Sequence, residues 1–133
     1  MFRYAIPAFV LTAAVAAGAA TPQNPAEARQ EERLAKRLEG MTAGEAVSCL
    51  PRDRATEIKF YNDTALYIQG RNKVWVNKTN GGCGRSGDDI LVIKSYSSQY
   101  CRGDIIETRS RGGGGFFTGA CSIGEFTPYT KAK

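Results

Sequence analysis

Glu57-Ile58-Lys59-Phe60-Tyr61-Asn62-Asp63-Thr64-Ala65-Leu66-Tyr67-Ile68-Gln69-Gly70-Arg71-Asn72-Lys73-Val74-Trp75-Val76-Asn77-Lys78 is the stretch whose reading decides the fold. Three runs rich in β-branched and aromatic residues are separated by Asn-Asp and by Gly-Arg-Asn, which are turn formers. The pattern predicts an antiparallel meander from Thr56 to Lys78, with strands at Thr56 to Tyr61, Thr64 to Gln69 and around Val74 to Val76. Asn62-Asp63 is a two-residue turn of the kind that accepts positive φ. Alternation places Ile58, Phe60, Leu66, Ile68, Val74 and Val76 on a core face. Tyr61, Tyr67 and Trp75, with Lys59, Lys73 and Lys78, then share the opposite face. An aromatic and basic sheet face can stack on planar or sugar rings. Tyr61, Tyr67, Trp75, Lys59 and Lys73 are therefore the candidate ligand-binding residues, with a second packing layer or a covering helix as the alternative use of that face.

Downstream, a glycine-rich loop from Thr79 to Gly87 leads to Ile90 to Ser95, a nearly continuous apolar strand suited to burial on both faces. Ile105 to Arg109 reads as a further strand, Gly112 to Gly115 as a flexible hairpin break, and Phe116-Phe117 with Ile123 and Phe126 as closing strands. The expected fold is mainly β: a small disulfide-tied antiparallel barrel or meander of about six strands, since closure protects strand edges. A short helix precedes it. Asn24 is a suitable N-cap, Pro25 suits the first turn, Glu27 sits at the capping-box position, and Gly40 ends a helix running from Pro25 to about Glu39. Ala28, Leu34, Ala35 and Leu38 give only a thin apolar stripe, so this helix is either weakly docked or a solvated tether. Met41 to Val47 reads as a connector with room for one helical turn.

Residues 1–20 stand apart. Arg3 supplies a positive charge, Ala5 to Ala17 is apolar, and Gly18-Ala19-Ala20 ends the run with small residues. That order reads as a cleavable secretory signal with the cut after Ala20. The run is Ala-rich and short for a spanning helix. The expected organisation is a signal at 1–20, a polar leader with its helix at 21–47, and a β domain at 48–133. The expected location is periplasmic or secreted, with no transmembrane segment in the mature chain.

Export sets the redox chemistry. Four cysteines in a small exported chain predict two disulfides. Cys83 and Cys101 flank the Ile90 strand, which favours their pairing and leaves Cys49 with Cys121; four cysteines allow three pairings, and spacing alone does not choose among them. The cysteines are widely separated, with no close Cys-x-x-Cys pair, so zinc and thioredoxin-like chemistry are disfavoured. The chain has no histidine. This excludes Ser-His-Asp and Cys-His catalysis and every histidine-based metal site. Asp88, Asp89, Asp104 and Glu107 are the remaining acid–base candidates, should their loops converge, although Asp88-Asp89 and Asp104 also suit loop ends and turn caps. No cofactor is expected. With 18 Lys and Arg against 13 Asp and Glu the chain is mildly basic, at +5, and its charges are scattered. That balance suits solubility, or an acidic glycan or lipid headgroup as partner, and no nucleic acid.

Gly82-Cys83-Gly84, the segment Tyr100-Cys101-Arg102-Gly103-Asp104-Ile105, and Gly119-Ala120-Cys121-Ser122-Ile123-Gly124-Glu125-Phe126 together resemble an uncharacterised family of small exported proteobacterial proteins with four cysteines. The resemblance spans Ala43 to Tyr129. It implies export and a four-cysteine domain and brings no activity with it. The expectation is a non-enzymatic binding or interaction module of the bacterial envelope. The alternatives are an inhibitor of a secreted hydrolase or a carboxylate-dependent hydrolase.

Overall fold

The computed structural model describes residues 24–81, 83 and 89–132. The segment read as a signal, Gly82 and residues 84–88 lie outside them. Helix α1 spans Pro25–Leu38. Its start follows local chemistry: the Asn24 side chain accepts the Ala26 N–H at 3.1 Å, Pro25 occupies the first turn, and Gly40 turns the chain away at φ +73°. The strands that follow are β1 (Met41–Ala43), β2 (Cys49–Pro51), β3 (Glu57–Tyr61), β4 (Thr64–Gln69), β5 (Lys73–Lys78), β6 (Asn80–Gly81), β7 (Ile90–Lys94), β8 (Gln99–Cys101), β9 (Ile105–Arg109), β10 (Phe117–Ser122) and β11 (Phe126–Lys131).

The strands form antiparallel sheets in the orders β1-β11-β5-β4-β3, β6-β10-β9-β7 and β2-β8. The fold is mainly β, as expected, but among the described residues the sheets stay open and no barrel closes. The extra strands are two or three residues long, too short for alternation to reveal them. Met41 to Ala43 forms a strand where a helical turn had room, because β11 offers it a register of Met41 against Lys131 and Ala43 against Tyr129.

The meander forms where expected, and Asn62 takes φ +52° in its turn. Its faces divide differently. A two-residue turn pairs residues of opposite parity, so Ile58 lies opposite Tyr67 and Phe60 opposite Ala65. The three-residue turn at Gly70-Arg71-Asn72 keeps parity, so Tyr67 lies opposite Trp75 and Leu66 opposite Val76. Ile58, Phe60, Ala65, Tyr67 and Trp75 therefore share the inner face. Leu66, Ile68 and Val74 share the outer face with Lys59 and Tyr61.

The inner face makes the main core. Ala65, Tyr67, Trp75 and Phe126 from the five-stranded sheet meet Ile106 and Cys121 from the four-stranded sheet, with Leu50 of β2, Cys83 and Ile123 completing the cluster. The Tyr67 ring packs edge-on to Phe126 at 5.1 Å and tilted to Tyr100 at 5.6 Å. Each such side chain, fully buried, contributes roughly 1.5–3 kcal/mol. On the outer face Leu66, Ile68 and Val74 are buried as well. Helix α1 accounts for that. It starts beside β3, where the Asn62 side-chain amide donates to the Glu27 carbonyl at 3.1 Å, and it runs out at β1 on the opposite edge. Fourteen helical residues reach about 21 Å, and five strands span about 19 Å, so α1 crosses the sheet from edge to edge. Gln30, Leu34 and Leu38, four residues apart, are its half-buried stripe. The helix is docked, and the thin stripe is enough because the sheet supplies the rest of the apolar surface.

The disulfides join Cys49 to Cys101 and Cys83 to Cys121, in place of Cys49–Cys121 and Cys83–Cys101. Strand neighbours decide this. β2 pairs with β8 and puts Cys49 directly opposite Cys101. β6 pairs with β10, puts Gly81 opposite Cys121, and brings Cys83 to the same place two residues later. No described cysteine is free.

The Tyr67 hydroxyl is buried with no hydrogen-bond partner in the structure, and burial raises its pKa well above the ordinary 10.0. Tyr67→Phe removes an unsatisfied hydroxyl from an apolar site. It is expected to stabilise the fold by about 1 kcal/mol, or leave it unchanged. The sign of the pH effect follows from the raised value. Above pH 10 the unfolded chain ionises this phenol while the folded chain keeps its proton, so stability falls by about 1.4 kcal/mol per pH unit from this group. Urea melts at pH 9 and 11 are expected to show a smaller alkaline loss in Tyr67→Phe than in the parent; an equal loss would mean that Tyr67 is solvated.

Candidate functional site

The five residues expected to bind ligand do not form one surface. Tyr67 is 0% exposed and Trp75 6%. Both lie in the core because the four-stranded sheet is the second layer over their face. Lys73 reaches back over the Trp75 ring at 4.5 Å, and the Trp75 indole N–H donates to the Gln69 side chain at 2.9 Å. Together these seal one end of the core, so Tyr67 and Trp75 offer no platform for a ligand. Lys59 and Tyr61 point to the other side of β3, and they open onto a cleft.

That cleft measures about 1000 Å³. One wall is β3, from Ile58 to Tyr61, and the other is the start of β7, at Asp89, Ile90 and Leu91. Helix α1 supplies Glu27, Gln30 and Arg33 at its rim, while Cys83 and Thr108 line its inner side. β3 and β7 are the outermost strands of their sheets. A strand at a sheet edge presents main-chain N–H and C=O groups that its own sheet does not pair. The cleft is therefore bounded on two sides by strand edges, with Ile90 and Tyr61 as apolar surface and Glu27, Asp63 and Asp89 against Arg33 and Lys59 as mixed charge. The sequence reads Ile90 to Ser95 as a strand suited to burial on both faces. Instead Ile90 is 44% exposed, because the strand lies at an edge and its outer face is uncovered among the described residues. Edge position depends on the sheet order of the whole chain, and no local pattern announces it.

The carboxylates do not converge. Asp89 accepts from the Thr118 hydroxyl at 2.6 Å, and Thr118 is bonded in turn to Thr108 at 2.9 Å. Asp104 caps the turn after β8 by accepting the Cys101 N–H at 2.9 Å. Glu107 lies on the outer face of the four-stranded sheet between Lys94 and Arg109, whose hydrogen bonds hold its pKa below the ordinary carboxylate value. Asp88 lies outside the described residues. Among the described residues no group of three Cys, Asp or Glu side chains is placed to hold a metal ion. The cysteine thiols are consumed as disulfides.

Family models, curated proteins and solved structures yield no match. The reading of this site therefore rests on its own geometry. Two disulfides mark an oxidising compartment, and among the described residues no helix is long and apolar enough to cross a membrane.

Proposed function

We propose that this chain is an exported, non-enzymatic interaction module that holds an extended peptide segment in the cleft between β3 and β7. The observation that carries the reading is the pair of sheet edges flanking one groove. Extended peptides bind such edges through main-chain hydrogen bonds, and neighbouring pockets select among side chains. The disulfide-tied scaffold suits the work, since a rigid groove loses little entropy on binding. The Ala-rich segment ending at Ala20 fits a cleaved signal, with the periplasm or the exterior of a bacterium as destination. A protein segment of the envelope is the matching partner. The resemblance to small exported proteobacterial proteins with four cysteines belongs to the same reading.

A displayed library of random linear peptides, each about 12 residues long to span an edge strand, tests this on the two-disulfide protein. Selected peptides are expected to slow amide exchange within Glu57–Tyr61 or Ile90–Lys94. They are also expected to lose affinity by about tenfold or more, some 1.4 kcal/mol, in an Ile90→Asp variant. Ile90 is partly exposed, so that substitution should change stability by no more than about 0.5 kcal/mol. Failure to select any peptide, or protection that maps away from both edges, would overturn the reading.

A further inference from the structure

The hairpin joining β9 to β10 carries two consecutive exposed aromatic rings, Phe116 at 70% and Phe117 at 59%. The backbone holds this tip in place. The Ser110 N–H donates to the Phe116 carbonyl at 2.8 Å, and the Phe116 N–H donates to the Ser110 hydroxyl at 3.1 Å. Gly113, Gly114 and Gly115 take φ of +73°, +106° and +67°, a sequence of left-handed steps that side chains resist. The rings are thus presented on a pinned turn and do not hang from a loose loop. On the same face Phe117 lies opposite Arg109, which lies opposite Ile90. From Thr108 to Gly124 the chain contains two arginines, Arg109 and Arg111, and no acidic residue. Arg109 also reaches Glu107 at 3.1 Å and the Gly115 carbonyl at 3.4 Å, so its guanidinium stays beside the tip.

We propose that the Phe116–Phe117 tip is a membrane-docking element that sets its two rings into the interfacial layer of an anionic lipid bilayer. Exposed adjacent aromatics on a monomer signal an interaction surface. A projecting hairpin whose surroundings set Arg109, Arg111 and Lys94 against Glu107 and Asp89, a positive balance, fits an anionic bilayer better than a protein groove. A bilayer asks for no shape complementarity, takes aromatic rings at headgroup depth, and attracts flanking arginines through its negative surface potential. The tip adjoins the cleft, which Asp89, Ile90 and Arg111 line, so the two surfaces are told apart by their probes, lipid vesicles for the tip and linear peptides for the cleft.

The experiment is co-sedimentation of the full two-disulfide protein with vesicles of phosphatidylglycerol and phosphatidylcholine, and with phosphatidylcholine alone. Binding to the anionic vesicles is expected, weakening as salt rises. The Phe116→Ser, Phe117→Ser double variant is expected to lose about tenfold or more of that binding with its melting temperature unchanged. A Phe117→Trp variant adds a direct readout, a blue shift of its emission on mixing with anionic vesicles. The proposal is overturned if the parent ignores anionic vesicles, if it binds neutral vesicles equally well, or if the double variant binds as the parent does. It is also overturned if the double substitution turns a dimer into a monomer while vesicle binding is absent, which would give the tip to a second copy of the chain.

Discussion

Gly124→Ala is expected to destabilise the fold by at least about 3 kcal/mol, lowering the melting temperature by roughly 10 °C or more. A Cβ at Gly124 would sit 2.2 Å from the Lys78 carbonyl oxygen and 3.3 Å from its carbon. Both are backbone atoms at the end of β5, so no side chain can swing clear. The approach is close because Asn77 draws the two segments together. Its side-chain amide donates to the Gly124 carbonyl at 2.8 Å and its oxygen accepts the Gly124 N–H at 2.9 Å, with Asn77 at 0% exposure and Gly124 buried. Pushing the strands apart strains both bonds, and each unsatisfied buried group costs about 1–3 kcal/mol. The same connection delivers Phe126 to the core, where its N–H and C=O exchange hydrogen bonds with Val47 at 2.8 Å each. Urea unfolding of Gly124→Ala beside Asn77→Ala checks the argument. Both should be strongly destabilised, and an alanine at 124 that leaves stability within about 0.5 kcal/mol would mean the approach is not made in solution. Asn77 also begins the sequence Asn77-Lys78-Thr79, a glycosylation pattern, but its amide is buried and used.

Much of the local structure is legible in the sequence, and most of the site is not. Asn24, Pro25 and Gly40 bound α1 through local chemistry, and the ends of β4 and β9 fall where Thr64, Gln69, Ile105 and Arg109 place them. The face division was also available. A two-residue turn at Asn62-Asp63 forces Ile58 opposite Tyr67, and grouping Ile58 with Leu66 overlooks that arithmetic. The buried aromatics then follow, since Tyr67 and Trp75 join two inward-facing β3 residues and become core. Other features depend on which strands meet across the chain. β2 at Cys49 and β8 at Gln99–Cys101 are three residues each, and their pairing alone selects the Cys49–Cys101 bond. The edge positions of β3 and β7, and so the cleft, are properties of the finished sheet order. Of the residues read as a ligand face, only Lys59 and Tyr61 line it.

The two disulfides are expected to separate sharply when removed or reduced. The Cys83–Cys121 bond closes a separation of 38 residues and the Cys49–Cys101 bond one of 52. By loop closure each stabilises the fold by about 4 kcal/mol, with little between them. Packing breaks the tie. Cys83 and Cys121 are 1% and 4% exposed and belong to the core cluster with Ile106 and Ile123, whereas Cys49 and Cys101 are half-buried. Replacing the core pair with alanine empties the volume of two sulfurs and adds roughly 1–2 kcal/mol through the cavity left behind. The anchor also has no substitute, because β6 is only two residues long and rests on β10 beside Cys121, where a Cβ on Gly81 would come within 3.0 Å of the Ala120 carbonyl. A total loss of about 5–6 kcal/mol approaches the whole stability of a small domain, so Cys83→Ala with Cys121→Ala is expected to be largely unfolded at 37 °C, while Cys49→Ala with Cys101→Ala stays folded at reduced stability. The same burial orders their chemistry. Mild thiol reductant on the native protein should open Cys49–Cys101 first, giving two alkylated cysteines by mass with β-sheet circular dichroism retained, and Cys83–Cys121 should follow only as the fold is lost. Opening of both bonds at one rate, or of Cys83–Cys121 first, would mean that the core around Ile106 and Ile123 admits solvent and reductant, and the packing argument for the larger loss would fall with it.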